Sequence, residues 1–276
     1  MSVSAHPRRR LRKAERLVAI LDAIERNGSV TVTDLAAQFA VSTASLRRDL
    51  RLLQDQQVLQ RTHGGAVGRP HASEMPVTLR RESRLAAKYT IAMQALSEVR
   101  YGRTVIGLNG GTTTLELARR LHDRSGLAVV TNSIDVAAEL LGRNRLRCIV
   151  LGGMGRSLSH EMVGPWTERL LATLKLDVVF LGADGISASG GLTTHDPAEA
   201  TVNRAMVYRA RRVVVLVDGS KLGRCTAAQI VPCSAIHAVI TDTSADPQAL
   251  AELRAAGCAV TTVSPSAADG LRRRAG

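Results

Sequence analysis

The sequence predicts a two-domain chain, with a small basic helical domain followed by a larger α/β domain on a mostly parallel sheet. Three observations carry that reading. The 276 residues can hold one small and one large core, since a domain commonly takes about 100 to 200 residues. Apolar spacing is helical before residue 68, whereas short continuous apolar runs alternate with helical patterns after residue 81. Between them GRPHASEMP holds two prolines and a glycine and has no periodicity, as a connection between domains should. The expected boundaries are 14–68 for the first domain, 69–81 for the linker, 82–264 for the second domain and 265–276 for a basic tail.

Composition narrows the partner. Hydrophobic residues are 45% and charged residues 22%, which excludes a disordered chain. A formal charge of +13 points to a polyanion, and 12 Lys or Arg against 6 Asp or Glu fall within the first 70 residues. With six aromatic residues in the chain, single strands stacked on aromatic platforms are disfavoured and duplex DNA is favoured. Arg outnumbers Lys 33 to 4, a bias that a GC-rich genome also produces. The four cysteines form no CxxC pair and have no histidines at zinc-finger spacing, so no metal, cofactor or disulfide framework is expected. The basic N-terminus is followed by LVAIL, which stops at Asp22 without a cleavage site, and no run of about 18 apolar residues occurs. The expectation is a cytoplasmic protein with no membrane partner.

In the first domain Leu17, Ile20, Leu21 and Ile24 line one face of a helix that Asn27 and Gly28 can end. Thr33 can cap a second, short helix with Leu35 and Phe39 inward, and Ser42 can cap a third. In the third helix Leu46, Leu50 and Leu53 share one side while Arg47, Arg48 and Arg51 share roughly the other. Val58, Leu59 and Arg61 then read as a strand, and His63 to Val67 as a tight turn and return. A short helix, a turn, a basic-faced helix and a hairpin make a winged helix-turn-helix. The candidate DNA-binding residues are Ser42, Thr43, Ala44, Ser45, Arg47, Arg48 and Arg51, with Arg61, His63 and Gly64 of the wing. A solvated helix face and a plain hairpin turn are the bland alternatives, but only Asp49 stands among the three arginines.

In the second domain TVIGL (104–108), LAVV (127–130), CIVL (148–151), VVFL (178–181), VVVLV (213–217), AVIT (238–241) and AVTTV (259–263) read as strands buried on both faces. Helical patterns lie between most of them, at 115–121, 134–141, 165–174, 198–209 and 247–256. Ligands of such sheets bind beyond the carboxyl ends of the strands. The candidate effector residues are therefore Gly110, Gly111, Thr112, Thr113, Thr131, Asn132, Gly153, Asp184, Gly185 and Lys221. Glycines and hydroxyls opening a helix at 110–114 suit a phosphate, with Lys221 opposite as the cation. Asp184, Thr131 and Asn132 would then face sugar hydroxyls. No GxGxxG, Walker A or GxSxG motif occurs, which argues against nicotinamide, nucleotide and serine-hydrolase chemistry.

The stretch ERLVAILDAIERNGSVTVTDLAAQFAVSTASLRRDLRLLQDQQVLQRTHGGA closely resembles the DeoR family of bacterial transcriptional repressors, whose signatures are RRDL, here 47–50, and HGGA, here 63–66. The resemblance continues through 110–114, TNS at 131–133, Gly152-Gly153, Val163-Gly164, Asp184-Gly185 and Ser220-Lys221, covering about residues 14–243. It departs at Gln57, where the family usually has glycine, and at Ala44-Ser45-Leu46. The family implies a sensor domain similar in fold to ribose-5-phosphate isomerase, a phosphorylated sugar or related metabolite as effector, and a homo-oligomeric repressor of a carbohydrate operon on double-stranded operator DNA. An isomerase-like enzyme is the rival. Asp184-Gly185 resembles part of that enzyme's DGAD loop, but Ile186 or Ser187 stands at the second acidic position and no lysine lies between Lys175 and Lys221. No catalytic residue is therefore expected.

Overall fold

The computed structural model describes residues 11, 13–56, 58–68, 74–81, 83–100, 102–121, 124–142 and 146–265. Gln57, residues 69–73 of the expected linker and residues 266–276 of the basic tail lie outside them. The chain divides into two compact units, Met1–Ser83 and Arg84–Gly276.

The first unit packs α1 (Lys13–Asn27), α2 (Val32–Phe39) and α3 (Thr43–Asp55) beside a sheet of β1 (Ser29–Thr31), β2 (Leu59–Arg61) and β3 (Gly65–Gly68) in the order β1-β3-β2. A short α4 (Val77–Arg80) follows within the stretch read as linker. Leu17, Ile20, Leu35, Leu46, Leu50 and Leu53 close the core, as their helical spacing requires. Helix α2 begins two residues before its expected start, with Thr31 and not Thr33 as its cap. The Thr31 hydroxyl accepts from Asp34 N at 3.1 Å and donates to the Asp34 carboxylate at 2.7 Å, a reciprocal cap that Thr33 could not make. Thr31 also ends β1, whose pairing with β3 had no signal in so short a segment.

The second unit is built on seven parallel strands in the order β15-β14-β12-β9-β4-β5-β6. They are β4 (Thr104–Leu108), β5 (Leu127–Thr131), β6 (Arg147–Val150), β9 (Leu176–Leu181), β12 (Ala210–Leu216), β14 (Ala238–Asp242) and β15 (Ala259–Val263), so every expected apolar run is a strand. Two are not buried on both faces: β6 and β15 are the edges and leave much of their surface exposed. Helices α5 (Leu85–Ala95), α6 (Thr112–Arg119) and α7 (Ile134–Leu140) pack on one face through residues such as Ile91, Leu117 and Val136. Helices α8 (Pro165–Ala172), α9 (Pro197–Arg209) and α10 (Pro247–Ala255) pack on the other through Leu171, Met206 and Leu253. That second face also carries an antiparallel sheet of β10 (Gly185–Ser187), β11 (Gly191–Thr194) and β13 (Ala228–Val231). A hairpin of β7 (Met154–Gly155) and β8 (Met162–Val163) follows β6.

The strand order reverses at β4. From it the chain builds outward to β5 and β6, and β9 begins the other half on its opposite side. The carboxyl ends of β4 and β9 therefore form a topological switch point, the place where open α/β sheets hold their ligands.

Candidate nucleic-acid interface and ligand rim

Helix α3 starts at Ser42, whose extended backbone lets its hydroxyl accept from Ser45 N at 3.2 Å. With Leu46, Leu50 and Leu53 fully buried, Thr43, Ala44, Arg47, Arg48 and Arg51 are exposed together, three and four residues apart, and Ser45 is half-buried beside them. Asp49 does not neutralise this face. It is buried and accepts from Arg16 Nε of α1 at 2.6 Å, so the carboxylate points inward while the three guanidinium groups point out. In the wing, His63 and Gly64 are exposed at the turn and Arg61 is half-buried opposite Ala66. A side chain at Gly65 would land on the Val30 carbonyl, so the second glycine of HGGA is where β3 passes against β1, whereas Gly64 has open space around it.

At the switch point Asn109, buried beyond β4, bridges to the end of β9. Its Nδ2 donates to Gly182 O at 3.0 Å and its Oδ1 accepts from Gly182 N at 2.8 Å. Gly111, at φ 139°, opens α6 with no side-chain cap, and the Thr114 hydroxyl is taken by Asn109 O at 3.0 Å and Gly111 O at 3.1 Å. The first backbone amides of α6, with Thr112 half-buried and Thr113 buried, are thus left to a ligand or to water. The Thr131 hydroxyl accepts from Ser133 N at 3.1 Å, and Asn132 donates to Glu161 Oε2 at 3.0 Å. Gly110 lies directly against the Glu161 side chain. Gly153 is closed in by the Thr167 hydroxyl and Val163 O, and Gly185 by Arg224 O and the Thr193 hydroxyl, so close packing leaves no room for a side chain at either.

Lys221, expected opposite the start of α6 and apart from Asp184, pairs with Asp184. Its Nζ lies 3.8 Å from Asp184 Oδ1, because the turn after β12 folds back beside the β9 loop. It also bears on Asp218: burial alone would push that carboxyl up, but Lys221, the Ser220 hydroxyl, Arg84 and Lys88 together hold it below its ordinary range. The expected separation of an anion end at Lys221 from a hydroxyl end at Asp184 is therefore corrected: the two ends share one ion pair.

A second correction concerns the missing second carboxylate. Glu199, in the first turn of α9, lies beside Asp184 with the Thr194 hydroxyl between them, 3.1 Å from Asp184 Oδ2 and 3.0 Å from Glu199 Oε2. Arg156, from the β7–β8 hairpin, pairs with Glu199 and reaches Asp196 at 3.2 Å. Two carboxylates and a lysine do meet here, so the second acid absent from the Asp184–Ser187 loop is supplied from α9. Glu199, Thr194, Arg156 and Glu161 were all outside the set chosen from the strand ends. Among the described residues no group of three or more His, Cys, Asp or Glu is arranged to hold a metal, and no helix is long and apolar enough to cross a membrane.

Comparison with known families separates the readings. Residues 16–69 match the DeoR-like helix-turn-helix domain and residues 83–243 the DeoR C-terminal sensor domain. The chain belongs to the DeoR family of transcriptional regulators. It is 34% identical over 250 residues to the HTH-type transcriptional regulator GlpR of Haloferax volcanii, covering 90% of this chain and 96% of that one. It is 31% identical over 232 residues to the glycerol-3-phosphate regulon repressor of Escherichia coli K12, covering 84% and 92%. The L-fucose operon activator of Haemophilus influenzae is 30% identical over 226 residues, covering 82% and 90%. Ribose 5-phosphate isomerase A of Methanocaldococcus jannaschii overlaps 49% of this chain and 52% of its own at 23% identity, with a TM-score of 0.36. A DeoR-family regulator is a DNA-binding protein with a sensor for a small molecule. Asp184 and Glu199 both lie within the span that matches the sensor domain.

Proposed function

We propose that this regulator is a repressor of a carbohydrate catabolic operon. In this reading it binds double-stranded operator DNA as a homo-oligomer in the cytoplasm and changes its affinity when a phosphorylated sugar occupies the sensor rim. The observation that carries the DNA half is the outward arginine face of α3, left without its carboxylate because Arg16 holds Asp49. The effector half rests on the uncapped start of α6 at the switch point, where backbone amides suit a phosphate, and on the neighbouring polar groups that suit hydroxyls. A symmetric oligomer would present two recognition helices to paired half-sites.

The test is fluorescence anisotropy on the duplex upstream of the regulator's own gene cluster, with and without ribose 5-phosphate, fructose 6-phosphate and glycerol 3-phosphate. Preference for that duplex over an unrelated one, weakened by a phosphorylated sugar, is expected. Equal affinity for both duplexes at every salt concentration would refute the operator reading, and sedimentation as a monomer with and without DNA would refute the oligomer.

A further inference from the structure

Asn132 lies fully buried at the end of β5, and its amide is half satisfied. Nδ2 donates to Glu161 Oε2 at 3.0 Å and to Met162 O at 3.1 Å, while Oδ1 is buried with no partner among the described residues. The orientation is fixed by chemistry, because turning the amide over would set its oxygen against two acceptors. An orphan buried acceptor costs about 1 to 3 kcal/mol unless something donates to it. Beside it is Glu161, 3% exposed, delivered by the β7–β8 hairpin: Met162 N donates to Asn132 O at 2.7 Å, and Glu161 bridges backbone to backbone with Ser133. The carboxylate occupies the space above Gly110, where any side chain would collide with it, so the first glycine of the 110–114 loop leaves room for an acid. The result is an amide oxygen and a carboxylate together at the ends of two adjacent strands, next to the start of α6.

We propose that Asn132 and Glu161 form a subsite for two neighbouring hydroxyls of the effector, one donating to Asn132 Oδ1 and the other to the Glu161 carboxylate. One hydroxyl has one proton, so a sugar that donates to both acceptors does so with two neighbouring hydroxyls, and the negative charge disfavours the phosphate at this end. Both groups are buried beneath the hairpin in this structure, so binding of the diol requires the hairpin to move. The proposal rests on the rim being the effector site and assigns Glu161 as the residue that selects the sugar end.

Two arms test it on the full chain. In the first, crystals are soaked with ribitol, a pentitol without phosphate. Hydroxyl oxygens within hydrogen-bond distance of Asn132 Oδ1 and Glu161 support the subsite, whereas a water alone at Oδ1, or an unoccupied amide, overturns it. In the second, calorimetry compares ribose 5-phosphate, 2-deoxyribose 5-phosphate and inorganic phosphate on wild type, Glu161→Gln and Glu161→Leu, with melting curves to show that each variant folds. Wild type is expected to prefer the sugar bearing the diol by about tenfold, and both variants to lose that preference while holding inorganic phosphate unchanged. Sugar phosphates that bind wild type and Glu161→Leu alike overturn the subsite and leave the phosphate reading standing. Ribitol seated on Asn132 with no sugar phosphate bound anywhere overturns the phosphate reading and leaves the subsite standing.

Discussion

Arg16 Nε lies 2.6 Å from Asp49 Oδ2, an ion pair that ties the first helix to the recognition helix across 33 residues of sequence. It does two things at once. It stitches α1 to α3 inside the first unit, and it withdraws the only carboxylate of the arginine stretch from the face proposed to bind DNA.

Removing Asp49 should therefore destabilise before it alters charge. The Arg16 side chain is 12% exposed, and Asp49→Ala would leave its largely buried guanidinium without its carboxylate. The expected loss is about 3 kcal/mol, and Asp49→Asn, which keeps a hydrogen-bond acceptor, should lose less. Hydrogen exchange of the α3 amides reads this unit without interference from the sensor unit. Unaltered protection in Asp49→Ala would show that the pair contributes nothing.

Arg47, Arg48 and Arg51 should divide into two kinds of contact. An arginine reading a base costs about 1 to 3 kcal/mol on replacement by Ala and relaxes preference at one position. One that holds phosphate lowers affinity for all duplexes and makes the salt slope shallower by about one. Anisotropy titrations at several salt concentrations separate these. A triple alanine variant with wild-type operator affinity would remove α3 from the interface.

How far these features were legible depends on which residues carry them. The seven long strands announce themselves because runs such as Val213 to Val217 are β-branched and continuous, a pattern only a buried strand uses well. Strands β10 and β11 do not, being three and four residues long with glycines at their starts. Helix α5 is apolar around most of its circumference, so it shows no stripe that the sequence reading can use. The rim was found where it comes from strand ends, and missed where it comes from elsewhere. Glu199 and Arg156 stand on a helix and a hairpin, and only the fold brings them to Asp184. The Asp196-Pro197 helix start before Glu199 was readable as a cap, but not as a neighbour of the β9 loop.

The two wing glycines should behave differently although they are adjacent. Gly65→Ala forces a methyl group onto the Val30 carbonyl and should open the β1–β3 pairing, with loss of stability and of operator binding. Gly64→Ala meets open space at an ordinary backbone angle and should leave the melting midpoint nearly unchanged. Equal midpoints for the two variants would contradict the strand packing described for the wing.

The cysteines should report on burial and on alkaline pH. Cys225 is exposed, and Cys233 and Cys258 are buried in contact with each other. Burial, with Cys233 close by, pushes the Cys258 thiol from 9.0 to about 11. Maleimide at neutral pH should modify Cys225 first and the buried pair only on unfolding. Because the folded state holds the Cys258 proton more tightly, its contribution is complete below pH 9.0 and falls away as pH rises toward about 11. Cys258→Ala should therefore lose stability less steeply than wild type over that interval, and parallel curves would exclude the effect.

Lys221 has two separable duties, and the pH dependence tells them apart. As a partner of Asp184 and Asp218 it should support the fold; the Asp218 carboxyl is held below its ordinary value of 3.8, so this support is present above that value and is lost as pH falls through the lowered one. Lys221→Ala should therefore lower the melting midpoint at pH 7, with the difference from wild type narrowing at acidic pH. Adding Asp184→Asn should recover part of the loss, because one of the two carboxylates that lost the lysine is then neutral. As an effector contact, Lys221 should matter even when stability is restored: the double variant should still bind ribose 5-phosphate at least tenfold more weakly than Asp184→Asn alone, the usual consequence of removing a charged hydrogen bond. Calorimetry of the four proteins makes the decision. Equal affinity of the double variant and Asp184→Asn, with the stability pattern intact, would confine Lys221 to neutralising its two aspartates and leave the amides of α6 to hold the phosphate without a lysine.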